Sequence, residues 1–185
     1  VLEPSRELFE GDELIKGQIR LYDVEAEDDS LEADARRFFD RTLMTEGLKD
    51  SLQLLRDARI GDGASHIHEF YGPYGTGKSH QMVAMYHAFN SPDIVGEWAD
   101  GRIDNLEEGL PSNAIPIVVS LQMDSDTYDY LWEPFFTALD YELDEDEFEE
   151  GGYPGINTIE RAVGDDTVAF FADELEDWFE SLSGK

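Results

Sequence analysis

One run constrains this chain more than any other: Gly72-Pro73-Tyr74-Gly75-Thr76-Gly77-Lys78-Ser79. It satisfies G-x-x-x-x-G-K-[ST], and the spacing has a chemical cause. Glycines at Gly72, Gly75 and Gly77 let the backbone curl until successive N–H groups converge on one anion, and a following helix adds its positive N-terminal end. Lys78 is then placed for the β- and γ-phosphates of a nucleotide and the Ser79 hydroxyl for Mg²⁺. With glycine at about 7% of residues, such a match arises by chance in a chain of this length about once in a hundred. The flanks also agree: His66 to Tyr71 has the pattern of a short strand, and Lys78 to Phe89 that of a helix stopped by Asn90-Ser91-Pro92. The run therefore predicts a site for ATP and Mg²⁺ along Gly72, Pro73, Tyr74, Gly75, Thr76, Gly77, Lys78 and Ser79.

Such a loop needs an acidic partner at the end of a neighbouring strand. Val168-Ala169-Phe170-Phe171-Ala172-Asp173-Glu174 is an apolar run closing on two carboxylates. Asp173 is expected to hold Mg²⁺ through water, and Glu174 to polarise the attacking water. Asp124 and Asp126, after the apolar run Ile115 to Leu121, are the rival pair, but only Asp173 follows its strand at once with a second carboxylate. Asp144-Glu145-Asp146-Glu147 has no strand before it and is expected to be a solvated loop.

Periodicity supplies the frame. Leu31, Ala35, Phe38 and Phe39, then Leu48, Leu52 and Leu55, recur at helical spacing, with Gly47 expected to divide two helices and Gly61-Asp62-Gly63 to end the second. Residues 91–114 are expected to be loop. Ile115 to Leu121 and Thr167 to Ala172 are predicted as strands buried on both faces. Asp126 to Leu139, with Pro134 as a kink or boundary, and Leu175 to Leu182 are helix candidates. Strand, helix, strand, helix, strand implies right-handed crossovers and a parallel α/β sheet flanked by helices. Residues 1–30 are expected to be an N-terminal arm, and 31–185 a partial P-loop ATPase domain.

Charge narrows the setting. Forty-four Asp and Glu against 13 Lys and Arg give a net charge of −31, spread along the chain, while aromatics make up 12% of residues. A disordered acidic tail would lack those aromatics. A folded, acidic domain with only Lys16, Lys49, Lys78 and Lys185 as lysines fits a high-salt, cytoplasmic home, where salt screens self-repulsion. The same charge argues against a broad nucleic-acid grip here, leaving any such contact to other parts of a longer protein. No apolar run is long enough to span a membrane, and without cysteine there are no disulfides or thiolate metal sites. His66 and His68, with His80 and His87, show no convergence that would favour zinc. His80, next to Ser79, is expected either to orient a phosphate or to face a neighbouring strand. Arg36, Arg37 and Arg41 are expected to be solvated helix charges, and Phe38, Phe39, Tyr86 and Phe89 core.

Phe38-Phe39-Asp40-Arg41-Thr42, Thr45-Glu46-Gly47-Leu48, the Gly-Lys-Ser-His end of the loop and Met85-Tyr86-His87-Ala88-Phe89 together resemble the large AAA+-type ATPases of prokaryotic phage-defence loci, of the bacteriophage-exclusion and phage-growth-limitation kind. The likeness is strong over residues 31–90 and looser over 115–120 and 168–178. It implies an AAA+-like P-loop fold, a haloarchaeal-like source, and contact of Thr45 and Gly47 with the edge of the adenine. Many relatives carry Thr where this chain has Ser79, which keeps the hydroxyl. The resemblance also implies further strands and an arginine-bearing lid after the acidic pair, whereas the chain stops eleven residues past Glu174. It is thus expected either to be an N-terminal fragment, incomplete after the Walker B strand, or to depend on a partner for the rest of its site, through self-association or a larger assembly. Three functions follow in order of expectation: a Mg-dependent ATPase module serving as motor or switch, weakly active alone; a nucleotide-dependent interaction switch; and a small-molecule kinase. The kinase is disfavoured because only Arg102 and Arg161 follow the loop as arginines.

Overall fold

The computed structural model describes residues 19–25, 30–61, 67–73, 75–120, 128–175 and 179. The first helix, α1 (Ala35–Asp40), starts where the Asp34 carboxylate accepts from the Arg37 N–H at 3.1 Å, a side-chain cap on an otherwise orphan donor. Helix α2 (Glu46–Arg59) is capped in the same way by Thr45, and buries Leu48, Leu52 and Leu55 on one stripe. Helix α3 (Lys78–Asn90) buries every residue from Met82 to Ala88, so it is enclosed on all sides. It packs against α2, against α4 (Pro92–Ala99), against the 3-10 turn Leu21–Glu25, and against both strands of the sheet.

That sheet has two strands, β1 (Ala114–Ser120) and β2 (Thr167–Asp173), parallel and in register from Ala114 opposite Thr167 to Ser120 opposite Asp173. Alternation along each strand sends side chains to opposite faces. On one face Val118 and Phe171 join the α3 core, with the Phe171 ring 6.1 Å from Tyr86 and 5.9 Å from Phe89. On the other, Ile117, Val119 and Phe170 pack with Leu131, Phe135 and Leu139 around α5 (Glu133–Ala138). Helix α6 (Ile156–Val163) completes the crossover that returns the chain to β2. The fold is α/β, as expected, with a parallel sheet and helices on both faces. Leu21 and Val24, from the stretch expected to be an arm, are buried in the α3 core. No helix among the described residues is long and apolar enough to cross a membrane.

Several local expectations are corrected. Residues 67–71 form no strand among the described residues, and Ile67 and Tyr71 are 81% and 89% exposed. His66 lies outside the described residues. Gly47 divides nothing, because the break falls at Arg41–Thr45 and Gly47 sits in the first turn of α2. The supposed loop after residue 91 holds α4, started by Pro92, whose missing N–H costs nothing at the first helical position. The helix sought over Asp126 to Leu139 is only Glu133–Ala138 where described, with Pro134 in its opening turn. Helix α6 was not anticipated. Most of the Leu175 to Leu182 expectation lies outside the described residues, as does Leu121.

Candidate functional site

The glycine-rich loop is built by backbone conformations that other residues resist. Gly72, Gly75 and Gly77 have φ of 147°, 81° and 85°, in the left-handed half of conformational space that a Cβ disfavours. The Thr76 hydroxyl donates to the Pro73 carbonyl at 2.8 Å and closes the turn. Gly77 then caps α3 with no side chain, so no N-cap side chain occupies its first-turn N–H groups. Lys78 folds back over the loop, its Nζ donating to the Gly72 carbonyl at 2.8 Å and the Pro73 carbonyl at 3.3 Å. Gly72, Pro73, Gly75, Thr76 and Gly77 are exposed, and Ser79 is half-buried. Tyr74 lies outside the described residues.

Beside the loop runs the α1–α2 linker. The Thr42 hydroxyl donates to the Phe38 carbonyl at 2.8 Å and meets His80 Nε2 at 3.1 Å. The His80 ring also lies against Phe38, centroids 4.7 Å apart. Burial pushes the His80 pKa down, so the ring is held neutral. One residue on, the Gln81 amide lies near Ser51 (3.4 Å) and against Gly47, where a Cβ would meet Gln81 Nε2 at 3.4 Å. The first turn of α3 thus touches the linker at Thr42 and α2 at Gly47 and Ser51. Thr45, expected at the adenine edge, uses its hydroxyl to accept from the Leu48 N–H at 3.2 Å. Of the two environments expected for His80, the ring has found a third, the linker. Thr42, though part of the run that carried the resemblance, was given no role from sequence, and Gln81 gave no signal at all.

The acidic pair stands at the C-terminal end of β2. Asp173 is the last residue of the strand and is paired in register with Ser120. Glu174 adopts φ of 60°, its N–H donating to Asp173 Oδ1 at 3.0 Å, and Ser120 Oγ donates to Glu174 Oε2 at 3.5 Å. No hydrogen bond among the described residues joins Lys78 or Ser79 to Asp173. The rival carboxylates Asp124 and Asp126 lie outside the described residues.

The acidic run at 144–147 is more than a solvated loop. Glu147 accepts from the Asp144 N–H at 3.0 Å and from the Tyr141 hydroxyl at 2.7 Å, and pairs with Arg161 of α6. Those donors, the backbone N–H first, pull its carboxyl pKa down to about 2. Three donors on its two oxygens tie α6 to the 144–147 turn.

A family model described as the DUF499 N-terminal domain matches residues 12–111, just over half of the 185-residue chain, including the linker, the glycine-rich loop and α3. No curated protein and no solved structure matches the chain.

Proposed function

The chain belongs to the family of the DUF499 N-terminal domain, and from that premise we propose that it binds ATP with Mg²⁺ and hydrolyses it as the motor or switch module of a larger assembly. The observation that carries the reading is the loop itself: three left-handed glycines leading into a helix with no N-cap side chain, with Lys78 folded back onto the Gly72 and Pro73 carbonyls. On a phosphate ligand, Lys78 would leave the Gly72 and Pro73 carbonyls for the β- and γ-oxygens. It would exchange neutral acceptors for charged ones, which bind it more strongly. Ser79 and Asp173 are the residues that would hold Mg²⁺, which supplies neutralisation of charge on the phosphate oxygens. Glu174 would orient the attacking water. Positioning and electrostatics carry the rate, with no covalent step on the protein. The AAA+-type fold and the phage-defence setting rest on the sequence resemblance.

The contact of Ser120 with Glu174 favours a second reading, a nucleotide-dependent interaction switch in which Glu174 is held by β1 and hydrolysis is idle. Glu174→Gln separates the two within the full-length protein. The ATPase reading expects nucleotide binding to persist while turnover falls by about a hundredfold or more, the scale of losing a general base. Unchanged turnover would remove Glu174 from the reaction.

A further inference from the structure

Helix α3 carries two histidines about two helical turns apart, on one face, and each meets one end of the segment that contains α1. His87 Nε2 lies 2.8 Å from the Glu32 carbonyl, ahead of α1, and His80 Nε2 lies 3.1 Å from the Thr42 hydroxyl, behind it. Phe38 sits between them, its ring centroid 4.7 Å from His80 and 5.7 Å from His87. The two ends differ in what a further proton would meet. His80 is half-buried, whereas His87 is 0% exposed and packed among the Phe38, Phe39 and Tyr86 rings. A carbonyl oxygen can only accept, so His87 carries its proton on Nε2 and keeps Nδ1 as a lone pair, without a partner among the described residues. A second proton would land on Nδ1, burying both a charge and a donor that nothing there accepts.

The ionisable groups on the elements packed around the ring do not remove that penalty. From the α1 segment, Glu32 offers its carbonyl and Asp34 its charge; both favour the proton, and burial outweighs them. Arg36 of α1 is paired with Glu97 of α4 at the surface. Glu25, from the 3-10 turn, acts on Tyr86 of α3.

We propose that His87 is an acid-sensitive latch: neutral, it keeps the segment from Glu32 to Thr42 docked on α3, and a proton on it shifts that segment toward an undocked state in which α3 and the sheet stay folded. Undocking uncovers Phe38 and Phe39, which the docked state buries almost completely. The latch is independent of any ligand at the glycine-rich loop.

Hydrogen exchange in multimolar KCl tests this, each rate being taken relative to the unstructured chain at the same pH so that the chemistry of exchange cancels. The amides of Phe38, Arg41 and Thr42, bonded within and just behind α1, report the segment, and those of Val83 to Ala88 report α3. The segment should be less protected than α3 at every pH. Below the ordinary histidine value of 6.5 its protection should fall by about tenfold per pH unit, the slope of one proton taken up on opening. His87→Gln keeps an N–H for the Glu32 carbonyl and cannot titrate, so its segment should hold its protection within about twofold down to about pH 5.5. Equal protection of segment and α3 at every pH overturns the latch, because the segment then opens only with the whole molecule. A segment indifferent to pH in wild type, or still acid-sensitive in a folded His87→Gln, overturns it too. The imidazole ¹⁵N spectrum of wild type decides without any variant: at neutral pH His87 should be the neutral Nε2–H tautomer, and a charged ring or an Nδ1–H tautomer contradicts the latch.

Discussion

At Thr45 two demands meet on one side chain. Resemblance assigns it to the adenine edge, while its hydroxyl accepts from the Leu48 N–H and starts α2. The cap is independent of any ligand, so Thr45→Ala should lower stability by about 1 kcal/mol in urea unfolding without nucleotide present. An unchanged midpoint would mean that the capping bond contributes nothing. His87 makes a second residue-scale claim. It is fully buried, its Nε2–H donates to the Glu32 carbonyl at 2.8 Å, and Nδ1 has no partner among the described residues. Burial lowers its pKa, against smaller opposing effects of the Glu32 carbonyl and the Asp34 charge. The His80 pKa is lowered by burial too. Both rings take up protons more readily unfolded than folded, so stability should be full above the ordinary histidine pKa near 6.5 and decline as pH falls below it. Urea midpoints measured at constant salt across that range should fall on acidification, and the fall should be shallower in His87→Leu. A flat profile would contradict the neutral buried rings.

Among the elements, those with complete local signals were legible in sequence. Leu48, Leu52 and Leu55 fall on one stripe of α2, and β1 and β2 are apolar runs that no amphipathic helix would tolerate. The glycine-rich loop was legible because its glycines are required by φ, a property of the residue alone. What could not be read depends on neighbours distant in sequence. Residues 67–71 have the composition of a strand, yet pairing is a property of two segments. Helix α4 was masked by Pro92 and Gly96, turn formers where a helix start tolerates the first and close packing on Leu110 accommodates the second. Helix α6 has Ile156, Ile159 and Val163 at helical spacing, but glycines at Gly155 and Gly164 on either side obscured it. The Thr42–His80 contact joins residues 38 apart and has no sequence signature. Packing between elements also sets Gly109, where a Cβ would lie 2.3 Å from the Arg56 Cα of α2. Gly109→Ala must push α2 and the Leu106–Glu108 turn apart, at a cost of about 1–3 kcal/mol in the same urea assay. No loss would mean that this approach is looser than the structure has it.

Across the whole molecule, a small parallel sheet is covered by α3 on one face and α5 on the other, and the glycine-rich loop leads directly into the most enclosed helix. Loop geometry is therefore tied to the core: the residues following Lys78 and Ser79 are held by packing from Met82 onward, while the loop stays exposed. A net charge of −31 surrounds this frame, and an anionic nucleotide must approach against it. Screening by concentrated salt, over a Debye length of about 3 Å at 1 M, removes most of that barrier. Ligand measurements consequently belong in multimolar KCl. The most direct test of nucleotide binding is thermal unfolding there, with and without Mg-ATP, for wild type and Lys78→Ala. A ligand that binds only the native state raises the melting temperature. The expected result is a rise in wild type that is absent in Lys78→Ala. A well-folded wild type whose melting temperature does not move, or an equal rise in both proteins, would contradict a nucleotide site at this loop.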